Sequence, residues 1–120
     1  GYVKTETGRR RYLPDIVSGN PKFQSQAERA AINMSTQGLA ADIMKLAMIK
    51  VAGWIKENEY EDSVQLLLSI HDEMVFEIRD DMVQDVAPEI KRIMENAFTL
   101  SVPVIVDVKT GKNWGDMKRI

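Results

Sequence analysis

Cysteine is absent from the 120 residues. Disulfides, thiolate metal ligands and a cysteine nucleophile are therefore excluded, and a reducing compartment is permitted. No apolar run is long enough to span a bilayer and no secretory leader pattern is present, so the expectation is a soluble, cytoplasmic protein without a membrane partner. Internal repeats and low-complexity tracts are also missing. A more local shortage lies in residues 66–78, LLLSIHDEMVFEI, where no glycine stands at the point at which the chain must turn.

The flanks of that turn read as strands. Leu66, Leu68 and Ile70 alternate with Leu67 and Ser69, and Met74, Phe76 and Ile78 alternate with Val75 and Glu77, the period-two pattern of a hairpin with one buried face. Tight hairpin turns need positive φ and normally recruit glycine or asparagine. Asp72 tolerates the left-handed region, whereas His71 and Glu73 contribute nothing to a turn on this reading. The triplet is thus poorly chosen for folding alone. One reading is a solvated hairpin tip. The other is a metal site, because adjacent carboxylates on a stiff hairpin offer hard oxygen ligands suited to Mg²⁺ or Mn²⁺. One hairpin cannot fill an octahedral shell, so such a metal needs another carboxylate or substrate phosphate oxygens.

The length is that of one domain able to bury a core. The chain opens on GYVKT, a strand with no lead-in, which reads as a segment of something longer. The net charge of −2 conceals an asymmetry: residues 1–29 hold six Lys/Arg against three Asp/Glu, and residues 57–95 hold three against twelve. A basic stretch beside a carboxylate cluster suits an enzyme handling phosphates through metals, although separate solvated faces produce the same imbalance.

The pattern predicts an α+β fold: an antiparallel sheet formed by hairpin 64–78 plus strand 102–108, packed with a long distorted helix 22–57 and an amphipathic helix 80–98. Residues 1–21 read as a short hairpin turning near Gly8, followed by loop. Gly38 and the hydroxyls of STQG lower helix propensity and place the distortion there. Beyond Gly38 the helix is apolar almost all round, which predicts a central position. In helix 80–98 an apolar stripe runs from Val83 to Ala97, and Pro88 implies a kink or a late start. Val102, Val104, Val106 and Val108 mark the last strand, and residues 109–120 read as a tail.

Two further groups carry chemical meaning. Arg29, Asn33 and Gln37 recur at i, i+4 and i+8, presenting a guanidinium and two amides along about 12 Å of one helical face. That row is either an ordinary polar stripe or a set of donors for nucleic-acid edges, where minor-groove acceptors allow pair geometry to be sensed without reading sequence. Arg9, Arg10 and Arg11 form a candidate phosphate patch, with strand alternation sending Arg10 to the side opposite Arg9 and Arg11.

Taken together, GRRRYLPDI, AERAAINMSTQGLAADIMKLAM, HDEMVFE and GKNW resemble, in order and over essentially the whole chain, the C-terminal end of the polymerase domain of family A DNA polymerases, the bacterial DNA polymerase I type. The resemblance implies a palm fragment, with residues 1–21 from the end of the fingers. It implies that Asp72 and Glu73 are the catalytic and metal-binding carboxylates of a two-Mg²⁺ site completed by a carboxylate outside this chain. It further implies that His71, Arg29, Asn33 and Gln37 approach primer–template DNA, with deoxynucleoside triphosphates and the remainder of the polymerase as the other partners. Many relatives carry proline just before the Gln-Gly pair, where this chain has Ser35 and Thr36. The family's other metal-binding aspartate and its nucleotide-binding fingers helix have no counterpart here. A fragment inactive by itself is therefore expected, the alternative being a non-catalytic DNA-binding or structural piece.

Overall fold

The computed structural model describes residues 1–120, which divide into two compact units, residues 1–43 and 44–120. No helix is long and apolar enough to cross a membrane.

In the first unit, β1 (Tyr2–Lys4) and β2 (Arg10–Tyr12) form an antiparallel hairpin with Tyr2 opposite Tyr12 and Lys4 opposite Arg10. A single 3₁₀ turn at Pro14–Val17 leads to α1 (Pro21–Glu57). The start of α1 is fixed chemically: the Asn20 side chain accepts from the Lys22 amide at 3.0 Å, and Pro21 occupies the first helical position, where its missing N–H costs nothing. Ala27, Met34 and Gly38 form the buried side of this half of the helix.

The helix runs unbroken through STQG, so the expected distortion does not interrupt it. Gly38 has another role. A Cβ there would lie 2.8 Å from Thr5 Cγ2 and 2.9 Å from Met34 Cε, so the missing side chain lets the hairpin and the helix approach each other. Propensity arguments see only the cost of such a glycine, not the tertiary contact that requires it.

In the second unit, α1 ends in a Schellman motif: the Tyr60 amide bonds to the Ile55 carbonyl at 2.9 Å, the Glu59 amide to Lys56 at 3.1 Å, and Glu59 takes φ 58°. The hydrophobic contact that accompanies such caps is an edge-to-face pair of Trp54 and Tyr60, 5.5 Å between ring centres. The chain then enters β3 (Val64–Ile70), turns, and returns as β4 (Glu73–Ile78). A 3₁₀ turn at Asp80–Met82 precedes α2 (Val83–Glu95). Beside it the Arg79 guanidinium holds the Asp81 carboxyl below its usual pKa, chiefly through their hydrogen bond. Helix α2 begins five residues before Pro88 and continues past it with that ring exposed, so neither a late start nor a break follows.

Val51 and Ile55 of α1, Val64 of β3 and Val86, Ile90 and Ile93 of α2 make the core, flanked by Phe76 and Ile78. Burying each such side chain contributes about 1.5–3 kcal/mol. Lys50 ties the end of α2 to α1 by donating to the Ala97 carbonyl at 3.0 Å. Only the stripe Ala47, Val51 and Ile55 of this half of α1 is buried, and Ile49 is 68% exposed. The helix is thus not surrounded on all sides within this chain, contrary to its all-round apolar pattern.

Two expectations about the sheet are corrected. Residues 102–108 form no strand: the ladder of β3 holds only β4. Val104, Val106 and Val108 do alternate inward with Ile105 and Asp107 outward, but Val102, expected on the same face, is exposed, so the pattern reads the faces correctly only from Val104 onward. What is missing is a partner edge, and the Val106 amide bonds instead to the Glu95 carboxylate at 3.0 Å. Residues 109–120 are not a loose tail either. Here β5 (Lys109–Thr110) pairs antiparallel with β6 (Lys118–Arg119) around a 3₁₀ turn at Trp114–Asp116. Gly111 permits this closure, since a Cβ would fall 2.2 Å from the Asp116 carbonyl oxygen.

Candidate functional site

The β3–β4 register shows how the acidic turn is built. Val64 faces Ile78 and Leu66 faces Phe76, but the next pair is Leu68 with Val75, a bulge that leaves Leu67 unpaired. Directly opposed residues share a face, and one extra residue reverses the alternation. Leu68 therefore stands with Val75 rather than with Leu66, a correction that period-two reading could not supply. The register continues Ser69–Met74 and Ile70–Glu73, which puts Glu73 on the Val75 side, away from Phe76 and the core.

Pairing of Ile70 with Glu73 leaves a two-residue loop of His71 and Asp72. His71 takes φ 53°, and Asp72 is not among the residues at positive φ. Positive φ at the first loop position alone is the pattern of a type II′ turn, whose usual occupant there is glycine. The residue in the left-handed region is thus the histidine and not the aspartate. Strain of this kind concentrates at functional sites.

His71, Asp72 and Glu73 are all exposed, and neither carboxylate makes a hydrogen bond or ion pair within the chain. Their donor set fits part of an oxygen shell. It does not complete one, because no group of three or more His, Asp or Glu side chains able to hold a metal occurs anywhere in the chain.

In the first unit, Arg29, Asn33 and Gln37 are exposed and lie on one face of α1. At 100° per residue this row is about a quarter turn from Met34 and Gly38, which face the hairpin. The three arginines do not behave as one patch. Arg9 binds Asp42 through Nε at 2.8 Å and Nη2 at 2.6 Å, and this pairing raises its pKa further. Arg10 lies over the Tyr2 ring, 4.7 Å from its centre, and Arg11 is exposed opposite Val3.

Around Arg9 a closed network forms. Its amide donates to the Thr5 hydroxyl at 3.1 Å, Thr5 and Thr7 hydroxyls lie 2.9 Å apart, and Thr7 donates to the second oxygen of Asp42. Only one proton arrangement satisfies all of these contacts, with Thr5 donating to Thr7. Buried Thr5 thereby keeps its polar atom paired. In the sequence Asp42 stands out only as a carboxylate within an apolar helix, and nothing marks Thr5 or Thr7. An isolated carboxylate one helical turn beyond a glycine, in a chain with an arginine hairpin, was the available signal.

The carboxylate-tipped hairpin packs on two helices, and comparison with known proteins is specific. A family model described as DNA polymerase family A matches residues 1–116, and the chain belongs to that family. It is 45% identical over 116 residues to DNA polymerase I of Pseudomonas aeruginosa, covering 97% of this chain and 12% of that protein. With the thermostable DNA polymerase I of Thermus filiformis it shares 43% identity over 119 residues, or 99% of this chain and 14% of that one. The chain thus spans about an eighth of the length of these relatives. Among solved structures it resembles the POL domain of Pol1 from M. smegmatis in complex with DNA primer-template and dNTP, with a TM-score of 0.81 at 43% identity. That match covers 86% of this chain and 18% of the other.

Proposed function

We propose that this chain is the segment of a template-directed DNA polymerase that carries part of the palm, with residues 1–21 from the end of the fingers, acting in the bacterial cytoplasm. The observation that carries the reading is the pair of exposed, unpaired carboxylates, Asp72 in and Glu73 directly after a two-residue turn held with His71 at positive φ, in a chain of this family. The solved neighbour's primer–template and dNTP support the choice of partners.

In the reaction, the primer 3′-hydroxyl attacks the α-phosphate of a deoxynucleoside triphosphate, the bond to the β-phosphate oxygen breaks, and pyrophosphate departs. Mg²⁺ ions, when bound, lower the hydroxyl's pKa and neutralise the leaving group. Asp72 would hold the cation and Glu73 would assist beside it, the charge of the cation relieving their mutual repulsion. The hairpin fixes both so that little orientation is lost on reaction. His71 lies against the primer terminus. Arg29, Asn33 and Gln37 contact the template–primer groove, and Arg10 and Arg11 contact phosphates, with Arg9 bracing the hairpin that carries them through Asp42. The remaining metal ligand comes from outside these residues.

Asp72→Ala in the longer polymerase tests this. Incorporation is expected to fall by several orders of magnitude while primer–template affinity stays within a few-fold, because a metal ligand serves the chemical step and not the phosphate contacts. Robust incorporation by that variant would sink the reading.

A further inference from the structure

We infer that the outer face of the β1–β2 hairpin is a stacking surface for single-stranded DNA, built by Tyr2, Tyr12, Lys4 and Arg10. This rests on the polymerase reading above and adds Tyr2, Tyr12 and Lys4, to which that reading gives no role.

Cross-strand partners share a face, so the pairs Tyr2–Tyr12 and Lys4–Arg10 place all four side chains together. The opposite face carries half-buried Val3 and buried Thr5. A hairpin selected for folding alone would turn its tyrosines inward. Here Tyr2 is 50% and Tyr12 70% exposed. The two rings are 5.8 Å apart at 57°, and Arg10 covers Tyr2, so the pair is braced and Tyr12 offers the open ring.

The charge agrees with a polyanionic occupant. Within residues 1–12, Lys4 and Arg10 lie on this face, exposed Arg11 lies on the other with Val3, and Glu6 is the one acid, Arg9 being paired with Asp42. A partner that is both polyanionic and rich in exposed π-faces is a single-stranded nucleic acid; a duplex offers phosphates but hides its base faces. In a polymerase that strand is the template ahead of the primer end. A base stacks on Tyr12 while Lys4 and Arg10 meet flanking phosphates.

Fluorescence anisotropy on the longer polymerase tests the assignment, with three probes: a blunt duplex, a primer–template with a one-nucleotide 5′ overhang, and one with a ten-nucleotide overhang. The unsubstituted protein is expected to bind the long overhang most tightly. Tyr12→Ala should erase about fivefold or more of that gain, Tyr12→Phe should retain it, and Lys4→Gln should reduce the salt slope on the overhang probe by about one. Blunt-duplex affinity should change by less than about twofold in the tyrosine variants. Unchanged overhang affinity in Tyr12→Ala, equal losses on blunt and overhang probes, or no overhang preference in the unsubstituted protein would each overturn the surface. Primer extension by the unsubstituted protein keeps the two readings separate: Asp72-dependent extension with a negative tyrosine result removes only the stacking surface, whereas absent extension removes the polymerase reading.

Discussion

Arg9 and Asp42, 33 positions apart, are joined by two hydrogen bonds from the guanidinium to the same carboxylate oxygen. With Thr7 on the other oxygen, Asp42 becomes the point at which the turn of the first hairpin is fastened to α1. A run of three arginines thus contains a fastener, a ring-stacked cation and an exposed cation, distinguished only by strand register.

Asp42→Ala is accordingly expected to loosen the first hairpin without unfolding the second unit. Amide exchange at Thr5 and Gly8, whose N–H groups close the turn, should accelerate at least severalfold, while Tyr60 and Val64 keep their protection. Arg9→Lys should fall between, retaining charge but losing the fork. Uniform acceleration across the chain would contradict the local role.

The two glycines inside α1 predict opposite responses. Gly53 has nothing within 4 Å of a would-be Cβ, so Gly53→Ala should stabilise by about 0.5–1 kcal/mol. Gly38→Ala gains the same helix propensity but crowds Thr5 and Met34, an overpacking cost of about 1–3 kcal/mol, so a net loss is expected. Removing the offending methyl with Thr5→Ser should recover most of it. Thermal unfolding of Gly53→Ala, Gly38→Ala and the Gly38→Ala/Thr5→Ser pair decides, and stabilisation by Gly38→Ala would show that the contact relaxes freely.

For Gln37, on the face that the polymerase reading assigns to the primer–template groove, alanine should slow extension of matched termini by an amount equivalent to about 1–3 kcal/mol. Mismatched termini, which have already lost the acceptor geometry, should slow less. Equal slowing of both in a primer-extension assay would count against groove sensing.

Titration of the 120-residue chain with Mg²⁺ should give at best millimolar-scale binding, abolished by Asp72→Ala, because the hairpin supplies two carboxylates and no third lies near. Primer extension by this chain alone should be blank. Micromolar binding by calorimetry would mean that ligands elsewhere in the chain have been overlooked.

What was legible in the sequence follows from the range of the interactions involved. The hairpin, the two helices and the apolar stripe of α2 are set by short-range periodicity, and they stand where the pattern puts them. The carboxylate turn was visible because three polar residues interrupt a strand pattern without a glycine. The reversal at Leu67, the close approach at Gly38 and the clasp on Asp42 were not, because each depends on a partner far away in sequence. Residues 102–108 show the converse: from Val104 to Val108 their alternation is a true record of two faces, but a strand also needs a neighbour, and periodicity says nothing about whether one is present.

His71 at φ 53° sets folding and chemistry against each other at one position. A histidine in the left-handed region costs about 1–2 kcal/mol that glycine would not. A mutational library at residue 71 ranked by melting temperature should therefore favour glycine, and the same library ranked by nucleotide incorporation should favour the imidazole. On the polymerase reading, efforts to make such an enzyme more heat-resistant by optimising its turns would, at this one turn, remove the group assigned to the primer end.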